Sequence, residues 1–288
     1  MSKPLIIDYI IYNGEPIVEY RLQYLNNYVN YFVIVESAFT HSGKKKPELY
    51  YYKNIDIFKK YEQKIIIKIL ETIPNKNDEI YQNIIKYEKL PEIKDSWIYE
   101  IYNRNYIQKE LLNIFKQPFI VLVCDADEIP RKDLVENIHT YYDKLNEGIH
   151  LQMYLLVYGF RWKKDQKWYH PFIINDIGTK NLSYSKVRLT FNNDYFNNGG
   201  WHITSCLSPD DIIRKLESFA HTEFDKEIFK DKKFILTCML SGRSYLARDK
   251  QDILISTNGY DLPDNWNEFQ MKIDNMIFEN EYPELKNT

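Results

Sequence analysis

Short apolar runs alternate with amphipathic stretches along the first 130 residues of the chain. The runs with the length and composition of buried strands lie at 5–12, 31–35, 64–70 and 119–123. Between the first two, Pro16 suits the first position of a helix whose apolar face is formed by residues 18, 22, 25 and 29. A second helix is predicted over 97–115. This alternation predicts a βαβ unit and an α/β fold with a mostly parallel sheet.

The pattern is less regular after residue 130. A helix is predicted from the apolar residues at 134, 138, 142 and 145, and strands are predicted at 149–160, 172–175 and 186–191. The composition Asn-Asn-Gly-Gly at 197–200 predicts a turn. Ser208 and Pro209, followed by Asp210 and Asp211, have the composition of a helix N-terminus. The tail from Asn258 onward shows little pattern, so we expect it to wrap around the surface or fray. We expect one domain, 1–288, with halves 1–130 and 131–288.

Three carboxylates, Asp125, Asp127 and Glu128, follow directly after the buried run at 119–123. The carboxyl end of a strand is where open α/β sheets bind ligands. Carboxylates so closely spaced repel one another, and a hard cation such as Mn²⁺ or Mg²⁺ offsets that repulsion by binding their oxygens. A solvated acidic turn has the same composition. The segment alone leaves both interpretations open.

Other segments combine residue types used in binding or catalysis, at 41–46 (HSGKKK), 97–104, 199–202 (GGWH) and 221–223 (HTE). The first can meet a diphosphate or remain a solvated loop. In the second, Glu100 and Arg104 can face a phosphate or form a surface ion pair. In the third, Trp201 can stack on a sugar or base ring and His202 can bind a metal or a proton. The alternative is an ordinary glycine turn in which both side chains are packed. There is no GxxxxGK[ST] or GxGxxG motif, so neither a P-loop nor a dinucleotide-binding site is supported.

Composition narrows the classes of protein. A hydrophobic share of 44% and a charged share of 27% are those of a globular chain, and a net charge of −3 gives no support to nucleic-acid binding. Three cysteines without metal-site spacing predict free thiols in a reducing compartment. The first apolar run is too short for a membrane anchor, and Asp8 interrupts it. We therefore expect a cytoplasmic protein with no membrane span and no nucleic-acid partner.

Two enzyme classes carry a DxD motif at a strand end. Haloacid-dehalogenase-type phosphatases use the first aspartate, which is Asp125 here, as a nucleophile, but their motif normally follows the first strand. Nucleotide-sugar glycosyltransferases of the A-type fold carry it mid-chain, behind a nucleotide-binding α/β half. Because the motif follows three other predicted strands, its position favours the transferase.

The chain resembles glycosyltransferase family 17. The matching segments are EPIVEYR at 15–21, YFVIVESAFTHSGKKKPELYY at 31–51, CDADEIPRKD at 124–133, YGFRWK at 158–163 and GGWHITSCLSPDDIIRKLESFAHTEF at 199–224. They run in family order and cover most of residues 8–225. The resemblance implies an A-type glycosyltransferase fold, with a Rossmann-like nucleotide-sugar-binding half at 1–130 and a smaller mixed or antiparallel acceptor-side region at 131–288. It also implies transfer of GlcNAc from UDP-GlcNAc to a hydroxyl of a glycan or glycoprotein acceptor, with inversion to a β-linkage. The animal enzyme's anchor and stem have no counterpart here, so a bacterial or viral cytosolic glycan is the expected acceptor.

The resemblance also assigns expected roles to individual residues. Asp125 and Asp127 hold a divalent cation, Mn²⁺ or Mg²⁺, with His202 as a third ligand or a diphosphate contact. On the donor side, Asn13 and Glu36 face the uridine, Arg104 reaches the diphosphate or braces the aspartates, and Trp201 lines the sugar site. The base that takes the acceptor proton is one of Glu223, Asp210, Asp211 and Glu128, with Glu223 favoured. A catalytically silent glycan-binding module is the remaining alternative.

Overall fold

A computed structural model of the chain describes residues 3–88, 94–190, 194–218, 221, 224–246, 253–275, 277 and 282, leaving out the side chains of 87 and 88. The strands are β1 (Leu5–Ile11), β2 (Tyr31–Ser37), β3 (Ile65–Leu70), β4 (Phe119–Val123), β5 (Glu128–Pro130), β6 (Ile149–Val157), β7 (Trp162–Trp168), β8 (Phe172–Asn175), β9 (Tyr195–Thr204) and β10 (Ile255–Ser256). The α-helices are α1 (Ile17–Leu25), α2 (Tyr50–Lys53), α3 (Ile55–Lys59), α4 (Glu79–Glu88), α5 (Asp95–Ile114), α6 (Lys132–Asn137), α7 (Asp176–Asn181), α8 (Tyr184–Leu189), α9 (Pro209–Ser218), α10 (Lys232–Ser241) and α11 (Trp266–Asn275). Short 3₁₀ helices cover Glu62–Lys64, Ile138–Lys144 and Glu227–Phe229.

One large mixed sheet contains strands from both halves of the chain. β3, β2, β1 and β4 lie side by side and are all parallel. β8 joins the free edge of β4 in antiparallel orientation, and β6, β7 and β10 continue the sheet beyond it. β9 pairs in parallel with β6 and in antiparallel with the short β5. The chain is therefore an α/β protein, and the predicted parallel arrangement holds for its first four long strands.

Helices pack on both faces of the parallel strands, which explains why most residues of these strands are apolar. All five residues of β4 are buried. Ile6 and Ile10 of β1 pack on one face with Leu22 of α1, and Ile7 packs on the other face with Leu111 of α5. Burying one such side chain contributes about 1.5–3 kcal/mol, so the continuous apolar runs are the main source of stability in this region. The strand ends are thereby held as a fixed platform for polar side chains.

The predicted strands at 5–12, 31–35, 64–70, 119–123 and 172–175, and the helices that start near 16, 97 and 208, are confirmed to within a few residues. The strand predicted at 149–160 ends three residues earlier, at Val157, because Tyr158 and Gly159 have positive φ angles of 61° and 98°. The helix predicted across 134–145 is divided into α6 and a 3₁₀ helix.

Three predictions of local structure are wrong. The described part of the predicted strand 186–191, residues 186–190, is not a strand, because α8 occupies Tyr184–Leu189 and the Ser183 hydroxyl caps its N-terminus. Residue 191 lies outside the described residues. The predicted turn at 197–200 lies inside β9. There Gly200 has φ 152°, and a Cβ at this position would lie 2.1 Å from the carbonyl oxygen of Ile129, so the glycine permits close approach of β9 to β5. The tail contains α11, whose Phe269 and Ile273 are buried in the core.

None of the helices within the described ranges combines the length and apolar character needed to cross a membrane.

Candidate active site

A cavity of about 400 Å³ opens at the carboxyl ends of β1 and β4. Its walls are the turn after β1 (13–15), the basic loop (41–46) after β2, the acidic loop (124–128) after β4, and parts of α5 and α9. This is the edge of an open α/β sheet at which ligands bind. The DxD segment therefore lies where its position in the sequence predicts.

Asp125 is held by two arginines. Arg104 Nη1 donates to Oδ1 at 2.6 Å, and Arg188 Nη2 donates to Oδ2 at 2.5 Å. Burial opposes the charged form of Asp125, but the two guanidinium groups outweigh it and hold the pKa of this carboxyl far below its usual range. Arg104 thus braces the acidic loop, one of its two expected roles. Asp125 was expected to bind the cation. Because both of its carboxylate oxygens accept hydrogen bonds from arginine, neither oxygen is free to do so in this arrangement.

Glu128 is fully buried behind the cavity and braces the same loop. Its Oε1 accepts hydrogen bonds from Trp168 Nε1 at 2.6 Å and from Arg188 Nη2 at 2.6 Å. Its Oε2 accepts from the backbone N–H of Asp125 at 2.6 Å and from Arg188 Nη1 at 3.0 Å. Glu128 has no exposed surface, and four hydrogen bonds are donated to it. It is therefore a structural anchor, which corrects its place among the four candidates for the base.

Asp127 points into the cavity and is less tightly engaged. Its Oδ1 lies 3.5 Å from His202 Nε2, and its Oδ2 lies 3.7 Å from Lys215 Nζ. Burial alone would raise the pKa of Asp127, but His202 and Lys215 outweigh it and hold the pKa below its usual value. The ring of His202 packs against the indole of Trp168, with centroids 4.4 Å apart, so the Glu128–Trp168 hydrogen bond also orients His202.

Asp127 and His202 have the chemistry of cation ligands. Carboxylate oxygen and imidazole nitrogen are both ligands of Mn²⁺, and the 3.5 Å between Oδ1 and Nε2 lets both reach one ion. Within the described ranges, no group of three or more His, Cys, Asp or Glu side chains is arranged to hold a metal. Among the described residues, Asp127 and His202 are two such ligands, and a substrate and water would have to complete the coordination.

The donor-side predictions divide into residues that line the cavity and residues that lie behind it. Asn13 lines it, and its Oδ1 accepts from Lys46 Nζ at 2.9 Å. Glu36 is fully buried and accepts hydrogen bonds from Lys46 Nζ at 3.2 Å and from the backbone N–H groups of Tyr50 and Tyr51, each at 2.8 Å. Glu36 therefore positions Lys46 and the start of α2, and the expectation that it faces the uridine is corrected.

The basic loop forms one wall of the cavity. His41, Lys44, Lys45 and Lys46 all line it, and Arg214 and Lys215 of α9 lie across from them. Ser42 fixes the loop to the C-terminal end of α9, because its Oγ donates to the Glu217 carbonyl at 3.1 Å and its N–H donates to the Ser218 carbonyl at 3.1 Å. The loop is thus a cavity wall and not a free surface loop.

Other predicted residues lie apart from the cavity. Trp201 is 1% exposed, and its Nε1 donates to the Asp261 carbonyl at 3.0 Å. It follows Gly200 and precedes His202 in β9, and alternation along the strand directs it to the core, so it does not line the sugar site as expected. Asp210 lies at the surface in an ion pair with Lys232.

Two candidates for the base remain, Asp211 and Glu223. Asp211 lines the cavity and is paired with Arg214. Glu223, the favoured base, lies outside the described residues.

Sequence reasoning missed Glu15, Arg188 and Lys215. Glu15 follows β1 as the acidic loop follows β4, so the same strand-end argument could have found it. Lys215 is one helical turn beyond Asp211 in α9, on the same face. Arg188 carried no such signal, because its segment was assigned to a strand.

Comparison with known proteins identifies the family of the chain. A model of the family described as Glycosyltransferase family 17 matches residues 1–246. The chain belongs to glycosyltransferase family 17.

Relatives with recorded functions are distant. The chain is 23% identical over 281 residues to β-1,4-mannosyl-glycoprotein 4-β-N-acetylglucosaminyltransferase of Rattus norvegicus, a match that covers 82% of this chain and 47% of the rat protein. It is 26% identical over 168 residues to the Homo sapiens protein of the same name, covering 55% of this chain and 28% of that protein. The chain spans about half the length of the rat relative.

Proposed function

We propose that this chain is an inverting glycosyltransferase of the A-type fold that moves GlcNAc from UDP-GlcNAc to a hydroxyl of a glycan acceptor. Family membership and the names of the relatives support sugar transfer and this choice of donor. The observation that carries the proposal is the position of Asp127 in a cavity at the strand ends, facing the basic loop. The acceptor is proposed only as a glycan.

The cations of the cavity fit the diphosphate of a nucleotide sugar. Lys46 lies at the end of the cavity near Asn13, and Lys215 lies near Asp127. Charge develops on the departing diphosphate as the sugar is transferred, and fixed ammonium groups in a partly buried site stabilise that charge. The loop and α9 are tied together through Ser42, so these charges are held in place before the substrate binds.

Asp127 and His202 would hold a divalent cation, Mn²⁺ or Mg²⁺, which would supply a Lewis acid to the diphosphate. Asp125 is proposed to act through the loop instead, because Arg104 and Arg188 occupy both of its oxygens. This arrangement keeps Asp127 directed into the cavity.

A phosphatase with Asp125 as nucleophile is disfavoured. A nucleophilic carboxylate needs an oxygen free to attack, and both oxygens of Asp125 are within 2.6 Å of a guanidinium nitrogen. A catalytically silent glycan-binding module would keep the fold and the family match, so it is separated from the proposed enzyme by turnover.

The test is release of UDP from a panel of UDP-sugars, with and without Mn²⁺ and without acceptor. We expect Mn²⁺-dependent release from UDP-GlcNAc that is lost in Asp127→Asn and kept in the matched control Asp210→Asn. Binding of UDP-GlcNAc, measured by calorimetry, without release even when glycan acceptors are added would favour the silent module. Neither binding nor release of any UDP-sugar would overturn the proposal.

A further inference from the structure

One carboxylate of the cavity differs from the others in its pairing. The acids that line the cavity are Glu15, Glu100, Asp125, Asp127, Asp211 and Glu217. Glu100 is paired with Arg104 at 3.2 Å, Glu217 with Lys230 at 3.3 Å, and Asp211 with Arg214. Asp125 and Asp127 have the cationic partners described above. Within the described part of the chain, Glu15 alone of this set has no cation at ion-pair distance.

The backbone fixes Glu15 in place. Its Oε2 accepts the backbone N–H of Asn13 at 2.7 Å, across a turn in which Gly14 has a φ angle of 90°. The following residue, Pro16, starts α1, whose apolar face is anchored in the core. The carboxylate therefore has a defined position on the cavity wall without a cation to hold it.

Burial raises the pKa of Glu15, with backbone hydrogen bonds and Lys215 acting against it. The ionisable groups that face it are Tyr12, Lys46, Tyr50, Asp127 and Lys215. A carboxylate that is desolvated and lacks an ion-pair partner is a stronger base than a paired one. This is the environment in which enzymes place a general base.

The three other described acids that were candidates for the base, Glu128, Asp210 and Asp211, are poorly suited to accept a proton. Glu128 is sealed behind the cavity by Arg188 and Trp168, and Asp210 is at the surface. Asp211 is held by Arg214.

We propose that Glu15 is the general base of the transfer reaction, an inference that rests on the proposed function. The acceptor O–H transfers its proton to the Glu15 carboxylate as the acceptor oxygen forms its bond to the anomeric carbon. The bond between that carbon and the diphosphate oxygen breaks, and its electron pair leaves with UDP. Glu15 then returns the proton to water.

The experiment measures UDP release from UDP-GlcNAc with water as the acceptor, and then with added sodium azide. Water must lose a proton to attack, whereas azide has no proton to lose. Glu15→Gln keeps an oxygen that accepts the Asn13 N–H, so it preserves the turn. We expect this variant to lose water-driven release by about 10²-fold or more. Azide should restore release and yield the glycosyl azide, while Asp127→Asn should not be rescued.

Matched variants and a binding assay separate the possible explanations. Asp210→Asn should keep water-driven release near the wild-type rate, and UDP binding by calorimetry should be unchanged in Glu15→Gln. The assignment is overturned if Glu15→Gln keeps full release, if azide fails to rescue it, or if Glu223→Gln shows the azide-rescued loss instead. Absence of both UDP-GlcNAc binding and release in the wild type would instead reject the proposed function.

Discussion

Arg188 Nη2 lies 2.5 Å from Asp125 Oδ2, although 63 residues separate the two in the chain. The same guanidinium group also donates to Glu128 through Nη1 and Nη2. One arginine on α8 therefore ties together the two ends of the acidic loop. The direction of Asp127, which lies between them, depends on this tie.

Replacing Arg188 with Met should destabilise the fold strongly. It would leave the fully buried Glu128 without its cation, and breaking a buried pair from one side costs about 3–5 kcal/mol. Urea unfolding measures this cost, and Arg214→Ala, which removes an exposed ion pair with Asp211, should cost less than about 1 kcal/mol. A loss in Arg188→Met no larger than in the control would contradict the buried network.

Gly200→Ala tests the close approach of β9 to β5. The added Cβ would lie 2.1 Å from the Ile129 carbonyl oxygen, which is backbone and cannot move aside without breaking the strand pair. We expect a loss of about 3 kcal/mol in the free energy of unfolding. Gly259→Ala is the matched control, because its φ is also positive but nothing lies within 4 Å, and it should cost only about 1–2 kcal/mol. Equal losses in the two variants would show that backbone conformation alone is responsible.

Lys215→Met should weaken UDP binding. Removing one charge that faces the proposed diphosphate site should raise the Kd by about tenfold, equivalent to about 1.4 kcal/mol. Lys215→Arg keeps the charge and should bind within a few-fold of the wild type. Calorimetry at low and high salt checks both variants, because an electrostatic contribution must shrink as salt rises. An unchanged Kd in Lys215→Met would remove this lysine from the donor site.

The stability of the fold should fall below pH 6.5 in part through His150. Burial lowers the pKa of this histidine from 6.5, so the unfolded chain takes up a proton more readily than the folded one. Its contribution is complete above pH 6.5 and is lost as the pH falls toward the lower pKa of the folded state.

Comparison of the wild type with His150→Gln isolates this contribution. His41 and His170 have pKa values shifted in the same direction, and Glu15 has one shifted in the opposite direction, but both proteins share them. The stability difference between the two proteins should shrink between pH 7.5 and pH 5.5 in urea unfolding. A difference that is constant with pH would show that His150 does not titrate in this way.

Local pattern was sufficient to predict the central strands and the acidic loop. β4 is apolar throughout because helices cover both of its faces. The carboxylates of the acidic loop follow β4 directly, so one short segment of sequence predicts both the strand and the candidate site. Local pattern also predicted α9, because the helix begins with a serine cap and a proline. These predictions needed no knowledge of distant contacts.

The direction of individual side chains could not be predicted in this way. Trp201 and His202 are neighbours in β9, so one faces the core and the other faces Asp127, and only the pairing with β5 and β6 decides which. Glu36 looked like a ligand contact because it ends a strand, yet it faces inward to Lys46 and α2. Arg188 was hidden because its segment alternates like a strand, and the Ser183 cap overrides that pattern.

The antiparallel pairing of β5 with β9 has a consequence for how the chain folds. It sets Glu128 opposite His202 and brings His202 to Asp127, although the two strands are far apart in sequence. Contacts between residues so far apart in the sequence form slowly, because closing the long loop between them costs conformational entropy. Refolding should therefore restore the helical signal before it restores UDP binding, and recovery of binding becomes a kinetic reporter of the last long-range strand pairing.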